Sequence, residues 1–310
     1  MRANTIDLGG PVHLAEWGRG APSFVLVHGL GGSHLNWMMV APALSRRGRV
    51  LAPDLAGFGL TPVAGRRTTV AAQRALVHRL LLKLAPRPVV LVGNSMGGLV
   101  TLAEAGLHPE LVSGLVMVDA ALPVPWREPP DRVVTSAFAA YALPAMGRRA
   151  LRRLYGRHQV EEIVAGAFAF CAVDPGRIPG SVVEAHVRLE EARMTRRGEN
   201  NRAFVDAGRS IVMAHLARAP VDRLIRRVAV PTLVIHGAGD RLVNVRAARR
   251  AGQLRPDWTV RIVEDAGHIP MLEVPDLFLS TVESWLDAHG LAPVMATERS
   301  PAEAQRAATS

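Results

Sequence analysis

Short uninterrupted apolar runs, most of them closed by a glycine, a proline or an acidic residue, alternate along most of the chain with longer stretches whose apolar positions recur every three to four residues. Runs of the first kind suit strands covered on both faces, and the second kind suits helices that bury one side. Six runs predict strands: Phe24–Val27, Val50–Ala52, Val89–Val92, Leu115–Val118, Thr232–Ile235 and Val260–Val263. Helices are predicted between them over Thr68–Leu84 and Ser95–Leu107, with a closing helix over Asp276–His289. Strands and helices in alternation specify an α/β protein with a mostly parallel sheet flanked by helices.

The alternation stops between Ala121 and Pro231. This stretch opens on Pro123, Pro125, Pro129 and Pro130 and continues with helical patterns over Val133–Leu143, Val160–Val173, Val182–Arg196 and Ala203–Ala217. An all-helical insertion over residues 122–227 is predicted, within a core made of residues 1–121 and 228–290. Residues 291–310 have little to bury and are expected to be a disordered tail.

The chain of 310 residues, 49% of them hydrophobic, is long enough for a large core. No apolar run approaches the roughly 18 residues of a membrane span. The opening stretch, "MRANTIDLGGPVHL", lacks the apolar segment of a secretory signal. Cys171 is the only cysteine, so no intrachain disulfide forms, and a reducing, cytoplasmic location is expected. The net charge of +10 raises the question of nucleic acid. Lys83 is the only lysine, the arginines are scattered in pairs, and 5% aromatic content leaves few stacking platforms. No specific nucleic-acid partner is expected.

Chemistry collects where strands end. "HGLGGS", His28 to Ser33, follows one strand, and its glycines let an amide such as that of Leu30 face inward. "VGNSMGG" follows another and places Ser95 on a tight turn, with the Met96 amide opening the next helix. Two such N–H groups, Leu30 and Met96, form a candidate oxyanion hole. A serine hydroxyl needs a base, and the base needs a carboxylate to fix its tautomer. His268 in "EDAGHIPMLEVPD" and Asp240 in "HGAGDRLV" stand just past two later strands. Asp119, also after a strand, is the alternative acid. His28 is expected to order the glycine loop, and His34, His108 and His186, without a partner pattern, are assigned to the surface or the insertion. No metal-ligand spacing, phosphate loop or dinucleotide fingerprint is present, so no metal or cofactor is expected.

The glycine loop after His28, "DLAGFGLT" from Asp54 to Thr61, the Ser95 turn, Asp240 and His268, in that order, resemble the α/β-hydrolase fold family over nearly all of residues 1–290. The resemblance implies an eight-stranded sheet, a helical cap inserted after the sixth strand, and a Ser95–Asp240–His268 catalytic triad. Serine at the elbow separates the chain from those relatives that use aspartate there. The elbow is similar to that of carbon–carbon bond hydrolases of ring-cleavage products, but Ile269-Pro270 rather than tryptophan follows His268. The expected activity is therefore esterase or lipase-like: cleavage of a carboxylic ester of a mainly apolar small molecule through an acyl-enzyme. The alternatives are the carbon–carbon bond hydrolase and a ligand receptor on the same fold with slow hydrolysis. Trp37, Phe138, Tyr141, Phe168, Phe170 and Met213 are candidates for the substrate wall.

Overall fold

A computed structural model describes residues 1–124 and 144–291. The predicted helix Val133–Leu143, the wall candidates Phe138 and Tyr141, and residues 292–310 lie outside the described residues. Eight strands form one sheet: β1 (Arg2–Asp7), β2 (Pro11–Trp17), β3 (Pro22–Val27), β4 (Arg49–Pro53), β5 (Val89–Asn94), β6 (Val112–Val118), β7 (Thr232–Gly237) and β8 (Thr259–Val263). Their spatial order is β1-β2-β4-β3-β5-β6-β7-β8. β1 and β2 run antiparallel to their neighbours and all other pairings are parallel.

The six predicted strands are β3 to β8. The added pair, β1 and β2, is a hairpin whose turn uses Gly9 at φ 76° and Gly10 at φ 122°, with Asp7 Oδ1 accepting both glycine amides. The short apolar runs arise because alternate side chains enter two different cores. Val89 and Leu91 of β5 point into one, and Val90 and Val92 into the other. The first core is covered by α1 (Val70–Leu84) and α2 (Met96–Leu107). The second is covered by Trp37, Leu44 and, from the closing helix Pro275–Ala288, Phe278, Val282 and Trp285. Leu291, the last described residue, is half-buried against this second core.

Between β6 and β7 the described elements are all helical: α3 (Pro144–Arg157), α4 (Val160–Cys171), α5 (Gly180–Arg193), α6 (Arg197–Leu216) and α7 (Arg218–Arg227). α7 buries Val221 and Ile225 in the first core beside α2, and α6 buries Ala207 and Ile211 in the same core, so the last two helices of this stretch pack on the sheet's helix layer. α3 and α7 are arginine-rich, which hides their apolar stripes in the sequence. Further along, α8 (Arg246–Leu254) and a helical turn, Pro270–Glu273, flank β8.

Candidate active site

Ser95 sits between β5 and α2 at φ 55° and ψ −117°, a conformation that L residues rarely adopt. Such a residue costs on the order of 1–3 kcal/mol and persists only where its surroundings over-determine it. Here the Ser95 amide donates to Val118 O at 3.0 Å, and Ser95 O accepts from Gly98 and Ala121 at 3.0 Å each. The flanking glycines are steric necessities. A Cβ on Gly93 would strike Gly97 O and Thr101 Oγ1, one on Gly97 would strike Val27 O, and one on Gly98 would come within 2.5 Å of Ala120 Cβ. α2 therefore starts hard against the ends of β3 and β6.

The three neighbouring strand ends supply the other groups. After β7, Asp240 Oδ1 accepts from the amides of Leu242 at 2.7 Å and Val243 at 3.0 Å. Its Oδ2 faces His268 Nδ1 at 2.7 Å, which fixes the imidazole with the proton on Nδ1 and the lone pair on Nε2. His268 is only 5% exposed. Asn94, just before Ser95, donates through Nδ2 to His268 O at 3.0 Å and Val118 O at 3.2 Å, tying the serine turn to the histidine loop. His236, whose imidazole is kept neutral by burial, bonds through Nε2 to Val243 O at 2.9 Å and backs the Asp240 turn.

Asp119 ends β6 at φ 46°. Its Oδ1 accepts from the Gly237 amide at 2.9 Å, while Oδ2 is buried without a hydrogen-bond partner among the described residues. Burial first, and then the Asp240 charge, push its carboxyl well above the ordinary range. Burial opposes ionisation of Asp240 too, but its electrostatic attraction to His268 and the hydrogen bond between them outweigh it and pull its carboxyl below the ordinary range.

The glycine loop lies against the serine. A Cβ on Gly29 would stand 3.0 Å from Ser95 Cβ, and Gly31 turns the chain at φ 76°, with Leu30 between them. Met96 is the first residue of α2, where the N–H groups have no intrahelical acceptor. Asp54 locks the loop from behind, accepting from the amides of His34 and Leu60 at 2.7 Å each and from His34 Nδ1 at 3.0 Å. His34 is thus a buried structural residue, and not the surface residue expected. The glycine of "GFG" is steric as well, since a Cβ on Gly59 would run into the Asp54 carboxyl.

The chain matches the sequence profile of the alpha/beta hydrolase fold over residues 22–275. It belongs to the α/β hydrolase fold family. It is 30% identical over 277 residues to the 2-hydroxy-6-oxo-6-(2'-aminophenyl)hexa-2,4-dienoic acid hydrolase of Metapseudomonas resinovorans, covering 87% of this chain and 86% of that one. It is also 30% identical over 265 residues to the pimeloyl (acyl-carrier protein) methyl ester esterase of Aromatoleum aromaticum, covering 82% of this chain and 94% of the relative. Among solved structures, a serine hydrolase involved in carbazole degradation superposes with a TM-score of 0.66 at 26% identity, over 93% of this chain and 99% of that one. Among the described residues of this α/β hydrolase, no helix is long and apolar enough to cross a membrane.

The wall candidates of this α/β hydrolase separate by burial. Trp37 is 0% exposed within the second core, so it offers no surface to a substrate, and its assignment to the wall is corrected. Phe168 is mostly buried and packs edge-on against His186, Phe170 is partly buried, and Met213 is 53% exposed. Apolar type and helical spacing do not distinguish core, cleft and surface. Phe204 of α6, unmarked in the sequence, leans over the glycine loop, 2.9 Å from where a Cβ on Gly31 would be. Asn94 carries no sequence signal beyond its place at a strand end, whereas Asp119 is the alternative acid of the sequence reading. Three groups of described side chains bring histidine and carboxylate atoms within 4.8 Å of one another, Asp119–Asp240–His268 among them. In the other two, Asp54 is already bonded to His34, and Glu104 to His78 and Arg74.

His28 shows what the glycine loop demands of pH. Its Nδ1–H donates to Gly29 O at 2.7 Å and its Nε2 accepts from the Leu55 amide at 3.0 Å, an arrangement open only to the neutral ring. Burial, partly offset by the Asp54 charge, pushes its pKa down to about 4. The unfolded chain therefore takes up this proton first as pH falls below about 6.5, and the folded chain only near 4. The stability contributed by neutral His28 is complete above about pH 6.5 and is lost progressively toward pH 4, by at most about 3 kcal/mol. Urea unfolding across this range reads the loss, and His28→Gln flattens this part of the curve.

Proposed function

We propose that this α/β hydrolase is a serine hydrolase that cleaves a carboxylic ester of a mainly apolar small molecule through an acyl-enzyme. The observation that carries the reading is the Asp240–His268 hydrogen bond of 2.7 Å on a loop that Asn94 ties to the strand-to-helix turn holding Ser95 at positive φ. Ser95 Oγ attacks the carbonyl carbon while His268 Nε2 takes its proton, and the imidazolium so formed is stabilised by Asp240. The tetrahedral oxyanion rests on the Leu30 and Met96 amides. Collapse breaks the bond to the alkoxide, which leaves with the proton from His268. Water, deprotonated by the same histidine, then releases the acid and regenerates Ser95. The helical insertion over residues 122–227 serves as a cap over the strand ends and selects the substrate.

A second reading shares every residue but not the scissile bond. One relative at 30% identity is a hydrolase of a 2-hydroxy-6-oxo-hexadienoic acid derivative, and another is a methyl ester esterase. A substrate pair decides between them: a short-chain nitrophenyl ester against a 2-hydroxy-6-oxo dienoate, each followed to many turnovers. The ester reading requires the larger kcat/KM on the ester, and a preference for the dienoate of about 100-fold or more reverses the assignment. One product per protein molecule followed by arrest, on both, marks a receptor with a vestigial reaction.

A further inference from the structure

The loop that carries His268 is fastened to the inserted helices as well as to the sheet. The His268 amide donates to Cys171 O at the end of α4, at 2.6 Å. Beside it Glu273, on the turn Pro270–Glu273, is 3% exposed, and both its carboxylate oxygens are engaged by main chain. Oε1 accepts from the amides of Val173 and Asp174 at 2.8 Å each, and Oε2 accepts from the Gly267 amide at 2.7 Å. Arg177 adds an outer tie, donating to Asp265 Oδ2 at 2.6 Å and to Asp265 O at 2.9 Å. The two segments are in close contact. A Cβ on Gly267 would strike Cys171 O, and one on Gly239, next to Asp240, would strike Val173 Cγ2.

A carboxylate is removed from water at a cost of several kcal/mol unless hydrogen bonds replace its hydration. Three charge-assisted bonds do so here. All three donors are backbone amides, so Glu273 fixes the position of two chain segments relative to each other. One segment ends in the residue before His268, and the other is the turn leading out of α4.

We propose that Glu273 is a positioning residue for hydrolysis: it clasps the Gly267-His268 segment to the Cys171–Asp174 turn and so keeps the imidazole aligned between Asp240 and Ser95. The inference rests on the serine-hydrolase reading above. Its consequence is that the insertion and the general base form one mechanical unit. Movement of the α4–α5 connection shifts the base, and a displacement of about 1 Å costs about 100-fold in rate.

Glu273→Gln tests this in the full chain. Its amide oxygen satisfies one side of the clasp, while its NH₂ opposes the N–H groups on the other. Expected are a fall in kcat on a nitrophenyl ester of about 10- to 100-fold with KM within about two-fold, and a parallel fall in the rate of organophosphonate labelling at Ser95. Hydrogen exchange should quicken in peptides covering residues 171–175 and 266–269 and not elsewhere. Wild-type protein that takes no phosphonate at Ser95 overturns the hydrolase reading and this inference with it. Wild-type protein that is labelled, beside a variant with wild-type kcat or a loss matching only its unfolded fraction, overturns the positioning role alone. Where Glu273→Gln does not fold, the same readouts are taken on Glu273→Asp, which keeps the charge but is one methylene short. Failure of both to fold assigns Glu273 to stability and ends the proposal.

Discussion

Ser95→Ala leaves a folded protein whose turnover of a nitrophenyl ester is lower by about 10⁵- to 10⁶-fold, the scale seen when a triad serine is removed. The size follows from what is lost: without Oγ there is no acyl-enzyme, and only the amides of Leu30 and Met96 and substrate binding remain. The fold should be indifferent. The Ser95 side chain makes no capping bond to α2, and the positive φ of 55° is no worse for alanine than for serine. A change in unfolding free energy of about 0.5 kcal/mol or less is expected. Steady-state kinetics, urea unfolding and intact-mass measurement after organophosphonate treatment check the three parts together. Activity within about ten-fold of wild type, or an undiminished covalent adduct, would place the nucleophile elsewhere.

Asp240→Asn lowers kcat by about 10⁴-fold, whereas Asp119→Asn lowers it by less than about ten-fold. The first effect is a tautomer effect. Asp240 Oδ1 accepts two amides, those of Leu242 and Val243, so the oxygen of an asparagine is retained on that side and its NH₂ is turned toward His268 Nδ1. A donor there obliges Nδ1 to accept, which puts the imidazole proton on Nε2 and leaves no base facing Ser95. Asp119, whose ionisation burial and the Asp240 charge oppose, is replaced by a neutral residue of the same shape that can still accept from Gly237. Measuring kcat for both variants on one ester settles the roles, and the reverse pattern would make Asp119 the acid.

What the sequence exposed and what it hid have physical causes. β3 to β7 are legible because both their faces are buried, giving apolar runs such as Val89–Val92, and β8, at the sheet edge with Thr259 and Arg261 exposed, is marked by Val260, Ile262 and Val263 alone. β1 is an edge strand whose residues are mostly exposed, so "RANTID" has no hydrophobic signature, and the hairpin is betrayed only by Gly9-Gly10. Ser95, Asp240 and His268 could be picked out because residue type and strand-end position coincide at each. Glu273 and Asn94 could not, since what they bind are amides and carbonyls of distant segments, and backbone groups carry no residue-type signal. Asp119 was legible as a carboxylate at a strand end, but its protonation depends on burial and on Asp240 nearby, which only the fold supplies. Trp37 shows the converse, an aromatic whose type announces burial without saying in what.

The candidate groups come from the ends of β5, β6, β7 and β8, which are neighbours in the sheet but far apart along the chain. Ser95 emerges from the ribosome early, whereas Asp240 and His268 follow only after the whole helical insertion has been made. On the proposed reading the serine is an unactivated alcohol until β7 docks on β6 and β8 on β7, and bringing such distant segments together is a slow, late event in folding. Reactivity is thus postponed until the sheet is nearly complete. If Ser95 and His268 act as proposed, a nascent or cleaved chain ending before β8 holds the nucleophile without its base.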